Sequence, residues 1–437
     1  MIICGKGWVD QMRACGDWAF LGRFGSSLPS VATAACTVAA LIASAWSTDA
    51  QAVSAKDFEE VVDTYLAERK DPEHITGVSA YISLGDPGPA IEIFAGETSD
   101  TNSVPISGDT LFQIGSNTKG FTGALILALE AEGKLSIDQT VGDWLPQYPA
   151  WKDVTIKRLL NMTSGLPTYS ESIPLSRLWV TQPNRHYTPQ ELLDYAYPSK
   201  TMKLPPNSGY FYSNTNYILA GMIAEKAAGK PYKQLLEEKL FAPAKLRDTF
   251  YQPIAYPPDI IVRMASGYFN NPDCGLYEPN CKESTLAPMI GRDVRTADVS
   301  WGGAAGGIVS TPRDLARWIR AVFTGKILPP EQLREFLSFV STKTGKPIEK
   351  VTSEDPRGFS LGLVRVLKPE VGALWFYEGE TLGYRTAFLF SPEDDVLVAA
   401  AANSQPPGEE DKLIPMLATL FVMAKEARSG MAAASGG

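Results

Sequence analysis

The chain has 437 residues, 44% of them hydrophobic, enough to bury one large domain or two interleaved lobes. Its formal net charge is −9, and no lysine or arginine cluster forms a phosphate-tracking patch, which argues against nucleic acid as a partner. Two histidines in the whole chain leave little room for imidazole chemistry.

The first segment reads as an export signal. Lys6, Arg13 and Arg23 precede an apolar run from Val31 to Trp46, and Ala50-Gln51-Ala52 supplies a small-x-small cleavage site. The run is short and alanine-rich for a bilayer span. Residues 1–52 are therefore expected to be a signal peptide, and the rest a periplasmic or secreted protein with no stable membrane insertion. Cys4, Cys15 and Cys36 fall in that segment. Cys274 and Cys281 remain, and an even pair in an exported chain suggests a disulfide. No histidine or further cysteine lies near them in sequence, so no metal is implied.

Residues 55–70 carry Phe58, Val61, Val62, Tyr65 and Leu66 at helical spacing. Ile75–Leu84 and Ala90–Ala95 read as strands joined by the turn Gly85-Asp86-Pro87-Gly88-Pro89. A helix after Ser116 carries Phe121, Leu125, Ala128 and Leu129 on one side and ends at Gly133. Residues 155–161 form a short helix, and Thr188-Pro189-Gln190-Glu191 reads as a capped helix start. Asn216–Ala228 is an apolar helix closed by Gly229. Tyr169–Tyr187, with Trp179, and 252–300 read as long irregular excursions that shape a pocket. Thr311-Pro312-Arg313-Asp314 starts a helix through Phe323. Strand character returns at Phe359–Val366, Ala373–Tyr377, Tyr384–Phe390 and Val396–Ala402, followed by a helix over roughly 409–427 and a tail, 429–437, expected to be disordered.

Strands at both ends and helices between them predict an α/β (α+β) fold in a domain of 53–428. One antiparallel sheet comes from both chain ends and is flanked by helices. The sheet lobe takes in about 55–115 and 300–428, and a helical lobe of about 116–300 is inserted into it.

The chemistry centres on Ser116-Asn117-Thr118-Lys119. No other lysine in the chain has a serine three positions before it. Residues i and i+3 share a helix face, so Ser116 Oγ and Lys119 Nζ can meet at a helix start. A serine nucleophile needs a base. His74 stands beside Asp71 and Glu73, and His186 lies in a loop; neither has a catalytic context, and no G-x-S-x-G elbow surrounds Ser116. Lysine serves instead if burial and the positive end of a helix lower its pKa. Tyr212, in Tyr212-Ser213-Asn214 just before an apolar helix, is a candidate to share the proton.

With these residues the chain resembles the serine β-lactamase-related hydrolases of the class C type. That group includes class C β-lactamases, DD-peptidases, D-aminopeptidases, D-amino-acid amidases and family VIII esterases. Ser116–Lys119 matches S-x-x-K and Tyr212–Asn214 matches Y-x-N; Leu159–Pro167 and Gly302–Leu315 resemble two further family blocks, in order over about 55–425. The resemblance implies a class C β-lactamase-like fold, Ser116 as acylated nucleophile, Lys119 and Tyr212 exchanging its proton, and Asn214 orienting Lys119 and the substrate. It implies no cofactor.

The third family motif, K-T-G or H-x-G, is replaced by Tyr377-Glu378-Gly379, followed by Glu380. By analogy the N–H groups of Ser116 and Glu380 form an oxyanion hole, with Tyr377 tuning the Lys119–Tyr212 pair. Carboxylates on this strand repel a substrate carboxylate and favour an amine, unless they are simply solvated. The expected function is acyl-enzyme hydrolysis of amide bonds in small or linear peptides. A carboxylic-ester hydrolase is the alternative. A β-lactamase, a DD-carboxypeptidase and a non-catalytic penicillin-binding-like receptor stand further back.

Overall fold

The computed structural model describes residues 53–101, 104–198, 209–252, 254–270, 287–406 and 410–435. The expected signal segment and the Cys274–Cys281 pair lie outside these residues.

Helix α1 (Ala55–Arg69) opens on a reciprocal cap, in which Ser54 Oγ accepts the Asp57 N–H while the Asp57 carboxylate accepts the Ser54 N–H. It buries Phe58, Val62 and Tyr65. The hairpin β1 (Gly77–Ser83) and β2 (Ala90–Gly96) follows. Then comes the inserted lobe, where α2 (Thr118–Ala131) and α3 (Asn214–Ala228) pack together at the centre. Gly133 and Gly229 sit just past their ends in left-handed conformations that favour glycine, as the pattern predicts. Helix α4 (Pro312–Phe323), capped by Thr311, leads back to the sheet.

The remaining strands of the main sheet are β3 (Phe339–Ser341), β4 (Pro347–Ile348), β5 (Arg357–Phe359), β6 (Val364–Lys368), β7 (Gly372–Glu380), β8 (Arg385–Ser391) and β9 (Val396–Ala402). The sheet order is β2-β1-β9-β8-β7-β6-β5-β3-β4, with every pairing antiparallel. The two ends of the chain meet where Val78 of β1 lies opposite Ala402 of β9. Strands β8 and β9 are buried along their whole length, so both sheet faces are covered. Helix α4 packs on β1 and β9; α5 (Leu413–Ser435) packs on β8 and β9 and against α1.

A buried charge network joins the chain ends. The Arg385 side chain has no solvent exposure; it pairs with Glu73 at 2.8 Å and with Asp411, and donates to the Ser404 carbonyl at 2.7 Å. Glu73 also accepts from Tyr65 Oη at 2.7 Å and Arg69 Nε at 2.8 Å. Several partners satisfy each charge, which is what a buried ion pair needs to repay its desolvation.

Three expectations need correction. The strand expected over Phe359–Val366 is two strands interrupted at Ser360–Leu363. Gly362 there has φ +139, and a Cβ would lie 2.7 Å from the Lys119 carbonyl, so the break follows the contour of α2. The last helix does not end near 427 but runs to Ser435, because the alanine-rich end favours helix and one glycine does not break it. The excursion Tyr169–Tyr187 is not irregular throughout: it holds the helix Ile173–Thr181, anchored by Trp179 against Trp301 at a ring separation of 5.1 Å. Among the described residues, no helix is long and apolar enough to cross a membrane.

Candidate active site

Ser116 lies in a 3-10 turn, Gly115–Asn117, that runs directly into α2, so Lys119 falls in the first helical turn as the i, i+3 spacing predicts. Lys119 Nζ donates to Ser116 Oγ at 2.9 Å and to the Ala305 carbonyl at 2.8 Å. Tyr212 Oη donates to Ser116 Oγ at 2.8 Å. The ammonium also lies 5.0 Å from the centroid of the Tyr212 ring. Lys119 is fully buried, and Ser116 and Tyr212 are 5% and 7% exposed, so the three polar groups meet in a site with little water. The two histidines are elsewhere: His74 packs edge-on against Tyr268, and His186 Nδ1 stands 3.4 Å from Asp298.

The turn is held by its neighbours. Asn117 Nδ2 donates to the Ile114 carbonyl at 3.0 Å and across to the Thr386 carbonyl of β8 at 2.8 Å. Gly115 has φ +48, and a Cβ there would lie 2.6 Å from the Glu380 nitrogen. A Cβ on Gly379 would lie 1.9 Å from the Ile114 carbonyl oxygen and 2.7 Å from the Ser116 nitrogen. Backbone packs directly on backbone here, which only glycine at both positions allows.

Strand pairing sets the direction of the Glu380 N–H beside that contact. The Thr381 N–H donates to the Tyr384 carbonyl at 3.0 Å, so Thr381 and Tyr384 form a hydrogen-bonded pair. Antiparallel pairs alternate, so Glu380, opposite Arg385, is in a non-bonded pair and its N–H points away from β8. On that side the pairing of β6 with β7 reaches only Phe376, leaving the edge beyond it to the Ser116 turn.

Tyr377 is fully buried, and its hydroxyl stands 3.2 Å from that of Tyr212. Burial, and then the neighbouring Tyr212, keep its phenol protonated well above the ordinary tyrosine range. Strand alternation turns Glu378 and Glu380 to the other face. Neither is a solvated side chain: Glu378 is 8% exposed and Glu380 partly buried. With Asp411 they bring one carboxylate oxygen each to within 4.8 Å of one another. Burial, and then Asp411, hold the Glu378 carboxyl far above its usual range and push Glu380 up to about 7. Asn214, the first residue of α3, donates from Nδ2 to Ser170 Oγ at 2.9 Å and from its N–H to Thr168 Oγ1 at 3.1 Å.

Sequence reasoning missed several contributors. Gly115, the Asn117 side chain, the Ala305 carbonyl and Ser170 all serve the site, yet only tertiary contacts reveal it. The Gly302–Leu315 block was visible as a pattern, but nothing in it showed that a carbonyl would face Lys119.

The β-lactamase family model matches residues 51–422. Penicillin-binding protein 4* of Bacillus subtilis is 27% identical over 290 residues, which is 66% of this chain and 60% of that protein. The D-alanyl-D-alanine-carboxypeptidase/endopeptidase AmpH of Escherichia coli is 26% identical over 279 residues, 62% of this chain and 64% of AmpH. The chain thus spans about half of the first curated relatives' length, down to 40% for protein flp of Staphylococcus aureus. Among solved structures, D-amino acid amidase from Ochrobactrum anthropi, in complex with D-phenylalanine, superposes with a TM-score of 0.67 at 25% identity, covering 85% of this chain and 97% of the amidase. A D-stereospecific amidohydrolase from Streptomyces gives 0.66 at 25% identity, covering 84% and 98%. The chain belongs to the β-lactamase family of serine hydrolases.

Proposed function

We propose that this protein hydrolyses amide bonds in small or linear peptides through an acyl-enzyme on Ser116. The observation that carries the reading is one serine oxygen within hydrogen-bond reach of both a buried lysine amine and a tyrosine hydroxyl. The Ser116 proton passes into the Lys119–Tyr212 pair as Oγ attacks the carbonyl carbon. Charge develops on the carbonyl oxygen and is met by the N–H groups of Ser116 and Glu380. The tetrahedral species collapses, the amine leaves with the proton held by the pair, and water repeats the sequence to release the acid. Tyr377 donates to Tyr212 and steadies it while its oxygen carries negative charge.

The names of two structural neighbours, an amidase and an amidohydrolase, support an amide substrate. An ester carbonyl meets the same machinery, and the neutral Tyr377 in place of a strand cation favours ester hydrolysis as the second reading. The absence of that cation disfavours β-lactams and other substrates held by a carboxylate. The test is a fluorophosphonate probe with mass mapping, alongside turnover of amino-acid p-nitroanilides, p-nitrophenyl butyrate and nitrocefin. Ser116 should carry the label and Ser116→Ala should lose both label and turnover. Unlabelled Ser116 in folded protein, or rapid nitrocefin hydrolysis, would count against the proposal.

A further inference from the structure

Helix α4, the end of β1 with the turn after it, and the segment 243–247 enclose a cleft of about 540 Å³ that shares no residue with the Ser116 site. Sites for small molecules have volumes of about 300–1,000 Å³. Five cations line the cleft, Lys245, Arg247, Arg317, Arg320 and Lys326, against one carboxylate, Asp86, in a chain whose formal net charge is −9. Arg320 is fixed in place. Its side chain is 11% exposed, its Nε donates to Ser83 Oγ at 2.9 Å, and it pairs with Asp395, which Arg428 shares. Arg317 donates to the buried Asp314 at 3.0 Å. Lys245, Arg247 and Lys326 are exposed and pair with no carboxylate among the described residues. Against Asp86, Asp314 and Asp395, at least two of the positive charges stay unmatched.

The backbone at Lys245 is a second, independent signal. The helical stretch Tyr232–Phe241 ends in a paired closure, in which the Leu246 N–H donates to the Phe241 carbonyl at 2.9 Å and the Lys245 N–H to the Ala242 carbonyl at 3.0 Å. Such a closure puts Lys245 in the left-handed region, at φ +56, where glycine is the ordinary choice. Gly133 and Gly229 fill that place after α2 and α3. A lysine held there is strained, and such strain gathers at ligand sites.

We propose that this cleft binds a phosphate monoester, its phosphate held by Lys245, Arg247 and Lys326 and its organic part by the wall around Tyr81. The inference goes beyond the acyl-enzyme reading and does not depend on it. A phosphate monoester carries about −1.5 to −2 charge at pH 7 and three strong acceptor oxygens, which matches the unmatched cations. The planar fork of Arg247 and the ammonium groups of the two lysines supply the donors. A carboxylate brings less charge and fewer acceptors. Pro243, Ala316 and Ala321 give the cleft an apolar wall beside the Tyr81 ring, which suits an ester rather than a bare anion. Burial holds the Tyr81 phenol above the ordinary tyrosine range, so its hydroxyl stays a donor. A soluble sugar phosphate and a phospholipid headgroup both present this chemistry.

The experiment titrates the protein with glycerol 3-phosphate by calorimetry at physiological ionic strength. Saturable binding is expected, and none with glycerol. Lys245→Gly and Lys326→Gln should each weaken binding by about 10-fold, the low end for a hydrogen bond to a charged group. Lys245→Gly relieves the left-handed strain, so its melting temperature should hold or rise while its binding falls. Flotation with phosphatidylcholine vesicles, with and without phosphatidic acid, separates the two sources. Capture by phosphatidic acid alone, lost in both variants, assigns the lipid headgroup; glycerol 3-phosphate binding without capture assigns the soluble ester. Inorganic sulfate bound as tightly as glycerol 3-phosphate would mark an unspecific cationic surface and overturn the proposal. Unweakened binding in folded Lys245→Gly overturns it too, as does the absence of both saturable binding and vesicle capture. Phosphonate labelling of Ser116 should be the same in both variants, which keeps this result separate from the test of the acyl-enzyme.

Discussion

Gly379→Ala tests how the nucleophile turn and β7 are fitted together. The new methyl carbon would lie 1.9 Å from the Ile114 carbonyl oxygen and 2.7 Å from the Ser116 nitrogen, both backbone atoms that cannot swing aside. Restoring ordinary contact moves the turn by about 1.5 Å relative to β7. A misplacement of about 1 Å costs roughly 100-fold in a preorganised site, and loss of one oxyanion donor costs about 100- to 1,000-fold in kcat. The expected loss is therefore about 100- to 1,000-fold in kcat, with a native-like far-ultraviolet spectrum. Gly133→Ala is the control: it also places alanine where glycine stands, at φ +70, but nothing lies within 4 Å of its Cβ, so it should cost stability and not turnover. The assay is anilide or ester hydrolysis with thermal melts of both variants. A folded Gly379→Ala enzyme with near-wild-type kcat would refute the proposed oxyanion geometry.

Tyr377→Phe removes the hydroxyl 3.2 Å from Tyr212 and should lower kcat/KM by about 10- to 100-fold while moving the acidic limb of the pH profile upward; a loss with no shift of the limb would reduce Tyr377 to packing. Arg385→Met strips the counter-charge from Glu73 and Asp411 and should destabilise the fold by about 3–5 kcal/mol in urea denaturation, and a change under about 1 kcal/mol would contradict the network's structural role. Burial and Asp411 push the Glu380 carboxyl from 4.5 to about 7 on folding, so the folded chain holds a proton that the unfolded chain releases, and stability should fall as pH rises between those values. Glu380→Gln should flatten that slope in urea midpoints taken at pH 5 and pH 8, and an unchanged slope would mean the group is not so perturbed. His186→Ala should leave turnover intact, since that ring pairs with Asp298; a loss of several orders of magnitude would restore a histidine base.

Local patterns in the sequence were enough for the antiparallel sheet from both chain ends, most helix limits and the Ser116–Lys119 pair. Each depends on short-range physics. A short continuous apolar run marked Val396–Ala402 at its observed bounds, and Gly133 and Gly229 closed helices through their own backbone freedom. The i, i+3 spacing brought two side chains together because a helix does so wherever it forms.

What lay beyond the sequence depends on residues far apart in the chain. The Ala305 carbonyl reaches Lys119 across 186 positions with no signal in the sequence, whereas Tyr212, 96 positions from Ser116, was expected from the Y-x-N resemblance and not from any periodicity. The acidic strand was legible as composition, but its burial and its meeting with Asp411 and Gln405 were not. Those follow from sheet register, which decides which face each side chain takes and which distant segment covers it. Tertiary packing thus turned two exposed-looking glutamates into a buried cluster, and turned Gly115 and Gly379 from loop and strand residues into the contact that aims the reacting edge.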